Sequence, residues 1–216
     1  MKELYIIGAG GFGREVADTV HAINARTPKY NLTGFIDDDE SVWGSVINEI
    51  PVRGGREYLK EVCAEIDGTL GIFAVIAMAS AKFKKIIARD LDEFVVWENI
   101  IHPTAVVSRF AAMGCGNIIQ QHTFISANVK VGNHCMLNNG SSMGHDAVLC
   151  DFASVMNFCD ITGGVRVGEG AYLGTSVAVI PDVTIDENAF ICAGSVVFKD
   201  VLPNAVMIGN PAKRKR

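Results

Sequence analysis

No apolar run in this chain approaches the roughly 18 residues needed to cross a bilayer. Only the four apolar residues Leu4, Tyr5, Ile6 and Ile7 separate Met1-Lys-Glu from Gly8, too few for a secretory signal. Positive charge is in short supply as well. Lys and Arg number 19 against 24 Asp and Glu, a net charge of −5, which argues against nucleic acid or a membrane surface as partner. The exception, Lys213-Arg-Lys-Arg216, reads as a solvated tail. The six cysteines (Cys63, Cys115, Cys135, Cys150, Cys159, Cys192) form no CxxC pair and no regular framework, which implies a reducing compartment. A soluble, cytoplasmic protein is expected.

What the chain has in abundance is a period of six. From Ile101, every sixth residue through Val197 is aliphatic or Met, seventeen positions without a slip. Four places after each stands a small residue, from Ala105 to Val201, and only Asn117, in Met113-Gly-Cys-Gly-Asn117, is larger than Val or polar beyond a hydroxyl. Six fits neither the 3.6 of a helix nor the alternation of a lone strand, so this is a repeat architecture. One large and one small apolar residue per hexad suits a prism of short strands. The large side chain fills a narrow interior and the small one lets the chain bend at a corner. Three hexads make a triangular coil of eighteen residues, and stacked coils share parallel ladders.

The front of the chain reads differently. Residues 4–7 form an apolar run that ends at Gly8-Ala-Gly10-Gly11-Phe12-Gly13-Arg14, and residues 15–24 carry apolar positions at helical spacing. Strand, glycine turn and helix are the context in which G-x-G-x-x-G binds a phosphate, through backbone N–H groups at the helix start. A second strand, 32–36, ends in Asp37-Asp38-Asp39, where a ribose or base partner would sit. Helices over 57–65 and 81–91 and strands over 73–77 and 94–97 complete a parallel α/β unit. The expected division is 1–99, a Rossmann-like domain, and 100–216, the hexad domain.

Taken together, the glycine turn, Phe35-Ile-Asp-Asp38, Ile101-His-Pro103, the hexads and Gly209-Asn-Pro-Ala-Lys213 resemble the hexapeptide-repeat sugar acetyltransferases, of the sialic-acid O-acetyltransferase and bacillosamine N-acetyltransferase type. The resemblance implies a left-handed parallel β-helix, a homotrimer, acetyl-CoA as acyl donor and a sugar or nucleotide sugar as acceptor. It makes His145, in Met143-Gly-His-Asp146, the general base and Asp146 its orienting partner. It makes the Gly163 amide a donor to the acetyl oxygen and Asn138 a contact to the sugar. Residues 18 apart stack, so Gly163 lies one coil above His145. The substrate-binding candidates are then Gly8, Gly10, Gly11, Gly13, Asp37, Asp38 and Asn138.

Ser154 stands where some relatives carry a second histidine, and Phe12 replaces a polar residue of the turn. Three readings therefore compete. The first is N-acetylation of a nucleotide-linked amino sugar; the second is O-acetylation of a free sugar such as a sialic acid; the third is a non-catalytic β-helix that only binds. A zinc site built from His122, His134 and His145 would need close convergence that their spacing does not offer, and no metal is expected.

Overall fold

The computed structural model describes residues 1–65 and 71–215. Its first part contains β1 (Lys2–Ile7), α1 (Gly11–Arg26), β2 (Tyr30–Ile36), β3 (Val46–Ile47), β4 (Ile50–Gly54), α2 (Arg56–Glu65), β5 (Ile72–Ile76), α3 (Ala81–Leu91) and β6 (Val95–Trp97). The strands lie in the order β3-β4-β2-β1-β5-β6, parallel throughout except for the β3–β4 hairpin. The β4 strand was not foreshadowed by the sequence pattern, because Pro51 and Arg53 interrupt its two buried aliphatics, Ile50 and Val52.

Both faces of the sheet are covered. Leu4 and Ile6 of β1 face Val16, Ala17 and Val20 of α1, while Tyr5 and Ile7 share a core with Leu59 of α2 and Ile87, Ala88 and Leu91 of α3. Two-sided burial explains why the strands read as unbroken apolar runs. Ile100 and Ile118 belong to the same cluster as α1, which is thereby held between the sheet and the hexad domain.

From Ile100 onward the chain lays down a two-residue strand every six residues, in three parallel sheets. Partners in register are 18 apart: Ile118 pairs with Ile100 and Met136, Phe124 with Val106 and Ser142, Lys130 with Ala112 and Val148. The second residue of each strand points inward; Leu137, Met143, Leu149 and Val155 have no exposure. Each such aliphatic contributes roughly 1.5–3 kcal/mol of burial.

The small hexad residue has a different role from the one its size suggested. Ala147, Ala153 and Val165 are wholly buried and line the prism with the large ones. The bend falls one residue earlier, at positions of positive φ such as Asp146 (φ 61), Phe152 (φ 61) and Gly164 (φ 70). The small residue's N–H closes the turn on the carbonyl three residues before, as Ala147 does on Gly144; this is type II turn geometry, which needs φ above zero at its third residue. Asn117 is no distortion. Fully buried, it donates through Nδ2 to the Gly132 carbonyl (2.9 Å) and accepts from the Cys135 N–H (2.7 Å), bridging adjacent coils.

Polar contacts lock the two parts together. Thr19 Oγ1 of α1 donates to Gln120 Oε1 at 2.6 Å, and Lys85 pairs with Glu169 at 2.6 Å. Lys84 of α3 is 1% exposed and donates to the His134 carbonyl (2.8 Å), the Ala153 carbonyl (3.3 Å) and Ser154 Oγ (2.9 Å), with no carboxylate among its hydrogen-bond partners. Lys213–Arg214 forms a strand antiparallel to Val206–Ile208, so the basic end is partly structured; Arg216 lies outside the described residues.

Candidate active site

The strand Ser142–Met143 places Gly144 and His145 at a prism corner, and Asp146 takes the positive-φ position of the turn. His145 Nδ1 and Asp146 Oδ2 are 2.8 Å apart. Asn128, one coil earlier, donates through Nδ2 to the other carboxylate oxygen at 3.0 Å. The His145 contact, and after it the Asn128 one, holds the Asp146 carboxyl below its ordinary pKa, and a carboxylate there can only accept, which suits an Nδ1–H. Asn128 was missed by the sequence reading, although its offset of 18 from Asp146 was the available signal.

On the coil above, Gly163 faces the ring directly. A Cβ there would stand 2.7 Å from both His145 Cε1 and Nε2. Gly144 is equally constrained, since a Cβ on it would lie 2.5 Å from the Gly163 nitrogen. Among the described residues the Gly163 N–H has no hydrogen-bond acceptor. A basic imidazole nitrogen beside an open amide donor is thus assembled from two glycines and a supported carboxylate. The His145 side chain is 72% exposed.

The remaining histidines occupy other places. His122 and His134 sit at two further corners, both at positive φ. His134 is stacked on Phe152 with ring centres 5.3 Å apart and lies edge-on to Trp97, where burial, and then Lys84, push its pKa down to about 4. His102 Nδ1 accepts from the Thr104 N–H at 3.1 Å, a local turn contact. Ser154 is 1% exposed, with its hydroxyl donated to the Ala79 carbonyl at 2.9 Å and receiving Lys84. It belongs to the contact between the two parts and lies apart from the His145 corner.

At the front end, the four glycines divide by role. A Cβ on Gly13 would overlap the Gly8 carbonyl, and Gly8 has φ +107, so these two serve the turn itself. Gly10 has nothing within 4 Å of its Cβ direction, and Gly11 only the Arg14 guanidinium at 3.7 Å. Those two leave the start of α1 open to an anion. Asp37 braces the turn, accepting from the Ala9 N–H at 2.8 Å and the Asp39 N–H at 3.0 Å. Asp38 meets Arg56 Nε at 3.1 Å on the wall of a cavity of about 500 Å³ that also includes Trp43, Arg53 and Tyr58. Trp43, fixed by its Nε1 donating to the Asp37 carbonyl (2.6 Å), was not anticipated from sequence. Asn138 is buried, and its Oδ1 accepts from the Asn139 N–H at 2.9 Å. Among the described residues, no hydrogen bond joins the glycine turn to His145.

Residues 3–91 match the family model described as the PglD N-terminal domain. Over 100% of this chain and 98% of its own, the structure of PerB from Caulobacter crescentus in complex with CoA and GDP-perosamine superposes with a TM-score of 0.90 at 28% identity. In fold, this chain is similar to that protein along its whole length. Its architecture is a Rossmann-like parallel sheet followed by a left-handed parallel β-helix. The acetyltransferase domain of PglB from Neisseria gonorrhoeae, in complex with acetyl coenzyme A, shares the fold at a TM-score of 0.88 and 24% identity. Serine acetyltransferase 2 of Arabidopsis thaliana is 32% identical over 94 residues, 39% of this chain and 29% of that protein. The chain spans under half the length of the first curated relatives it matches. Among the described residues, no helix is long and apolar enough to cross a membrane.

Proposed function

We propose that this protein transfers acetyl from acetyl-CoA to the amino group of a nucleotide-linked amino sugar, with residues 1–99 holding the nucleotide and 100–216 carrying the transfer. His145 is the general base. With Nδ1–H donated to Asp146, Nε2 is free to take a proton from the sugar amine as its nitrogen attacks the thioester carbonyl carbon. The Gly163 N–H donates to the oxyanion that forms. Collapse of that intermediate breaks the carbon–sulfur bond, and the proton on Nε2 goes to the departing thiolate. The pyrophosphate lies at Gly10 and Gly11 and the nucleoside reaches Asp38.

The observation that carries this reading is the His145–Asp146–Asn128 relay set against the bare Gly163. It favours an enzyme over a β-helix that only binds, because a binding surface has no need of an oriented base beside an open amide. His145→Ala tests it. Turnover should fall on the order of 10²-fold or more with the melting temperature unchanged; undiminished turnover would end the assignment. Calorimetry with GDP, UDP and dTDP separates this reading from acetylation of a free sugar, which predicts binding of none of them.

A homotrimer completes the site. An imidazole that is 72% exposed cannot by itself provide the desolvated cleft that acyl transfer uses. The sheet face ending at His145 carries Val106 (58% exposed) and Phe124 (48%), with Phe110 (61%) and Phe158 (64%) beside it. Surface this apolar supports burial against a neighbouring copy. The six free thiols support a reducing, cytoplasmic setting.

A further inference from the structure

Between α1 and the first coils lies a crevice of about 280 Å³ that the reading above does not use. Its α1 wall presents Glu15, Asp18 and Thr19; its coil wall presents His102, Gln120, Gln121 and Asn139. We propose that this crevice seats the amino-sugar ring, with Glu15 and Asp18 accepting from its hydroxyl groups. The inference rests on the nucleotide-sugar reading and adds to it the residues that choose the sugar.

Gln120 gives the first argument. It is 3% exposed, and its Oε1 is taken by Thr19 Oγ1 at 2.6 Å. Its Nε2 is buried and has no partner. A buried amide donor without an acceptor costs about 1 to 3 kcal/mol unless something supplies one, and a sugar hydroxyl, which both accepts and donates, does so. Chemical balance gives the second. The walls combine two carboxylates, which only accept, with the amides of Gln121 and Asn139, which do both. That set suits a polyol. It suits neither a phosphate, which the carboxylates would repel, nor an apolar ring.

Position along the chain gives the third. At 1.5 Å per residue, Glu15 and Asp18 lie about 6 and 10 Å along α1 from Gly11. A pyrophosphate at the start of the helix would therefore deliver its sugar to this wall. Asn139, and not Asn138, lines the crevice; Asn138 stands behind it with its Oδ1 held by the Asn139 N–H.

The test pairs Glu15→Gln/Asp18→Asn, both on exposed positions, with Gln120→Met. The probes are GDP-perosamine and GDP, with the UDP- and dTDP-linked amino sugars run alongside. For whichever nucleotide sugar the wild type acetylates, the double variant should raise KM at least tenfold. The Kd for the corresponding free nucleoside diphosphate should stay within twofold, and the KM for acetyl-CoA should not move. Gln120→Met should raise the same KM alone. Unchanged KM in the double variant overturns the crevice assignment, and so does an equal loss of nucleoside diphosphate affinity, which would mean that the carboxylates serve the turn. A wild type that acetylates none of the nucleotide sugars overturns the substrate reading itself, and the crevice assignment falls with it.

Discussion

Gly163→Ala is the smallest change that should separate the proposed chemistry from the fold. Gly163 has an ordinary backbone conformation, outside the positive-φ positions, so alanine carries no conformational penalty there. The new Cβ would lie 2.7 Å from His145 Cε1 and Nε2 and 3.3 Å from Cδ2. Carbon and nitrogen pack at about 3.5 Å or more, so the ring must retreat by about 0.8 Å or swing. An exposed side chain can do this without disturbing the core, and stability should change by less than about 0.5 kcal/mol. Swinging pulls Nδ1 off Asp146 Oδ2 and takes Nε2 away from the amine. Misplacement of about 1 Å costs on the order of 10²-fold in rate, which is about 2.7 kcal/mol in the barrier. Steady-state assays with saturating acetyl-CoA should show the loss in kcat, alongside an unchanged thermal melt. A variant that keeps more than a third of its kcat would refute the claim that Nε2 works in the space above Gly163.

Asp146→Asn should lower kcat about tenfold or more, because an amide neither fixes the Nδ1–H tautomer nor steadies the imidazolium; a full pH–rate profile checks it, and an unchanged profile would remove Asp146 from the mechanism. Burial pushes the Lys84 ammonium down to about 8 from 10.5, so between those values the unfolded chain binds the extra proton and Lys84 makes stability rise with pH. The shift corresponds to about 3 kcal/mol as a ceiling; urea melts at pH 7.5 and 10 should show this rise in wild type relative to Lys84→Met, and parallel pH dependence in the two proteins would contradict it. Phe124→Glu should turn a trimer into monomers by light scattering and lose activity together with the association; a monomeric protein that remains fully active would show that one chain holds a complete site.

The prism was legible in the sequence because its interior imposes a rule on every sixth residue, and that rule leaves no room for exceptions. Helices 81–91 and 57–65 were legible for the same reason at a different period. What escaped was polar and depended on contacts between distant segments. Lys84 stands in step with Ile87, Ala88 and Leu91 on the buried face of α3, so its spacing did signal burial; that it would meet two carbonyls and Ser154 of the coils was not written in either segment. Asn128 could have been found by counting 18 back from Asp146. Trp43 could not, since its placement depends on how the loop after β2 folds over Asp37.

The corner positions explain why chemistry sits where it does. Inside the prism, Ala147 and Met143 are fixed by packing, with no exposure at either. The positive-φ residue between faces lies outside that interior: Gly140, Asp146, Phe152, Phe158 and Gly164 all occupy equivalent corners. Any residue that tolerates the left-handed region can stand there, and Asp does so more readily than most. Asp146 therefore costs the coil little, and the preceding residue, His145, is carried outward with its Nδ1 already turned to the carboxylate. The adjacent coils then supply Asn128 below and Gly163 above at the same corner, through the 18-residue register alone. A catalytic group can thus be written onto this scaffold without altering one inward-facing hexad position. For that reason the repeat by itself cannot reveal whether a given β-helix is an enzyme, and the proposed activity rests instead on the Met143-to-Asp146 stretch set under Gly163.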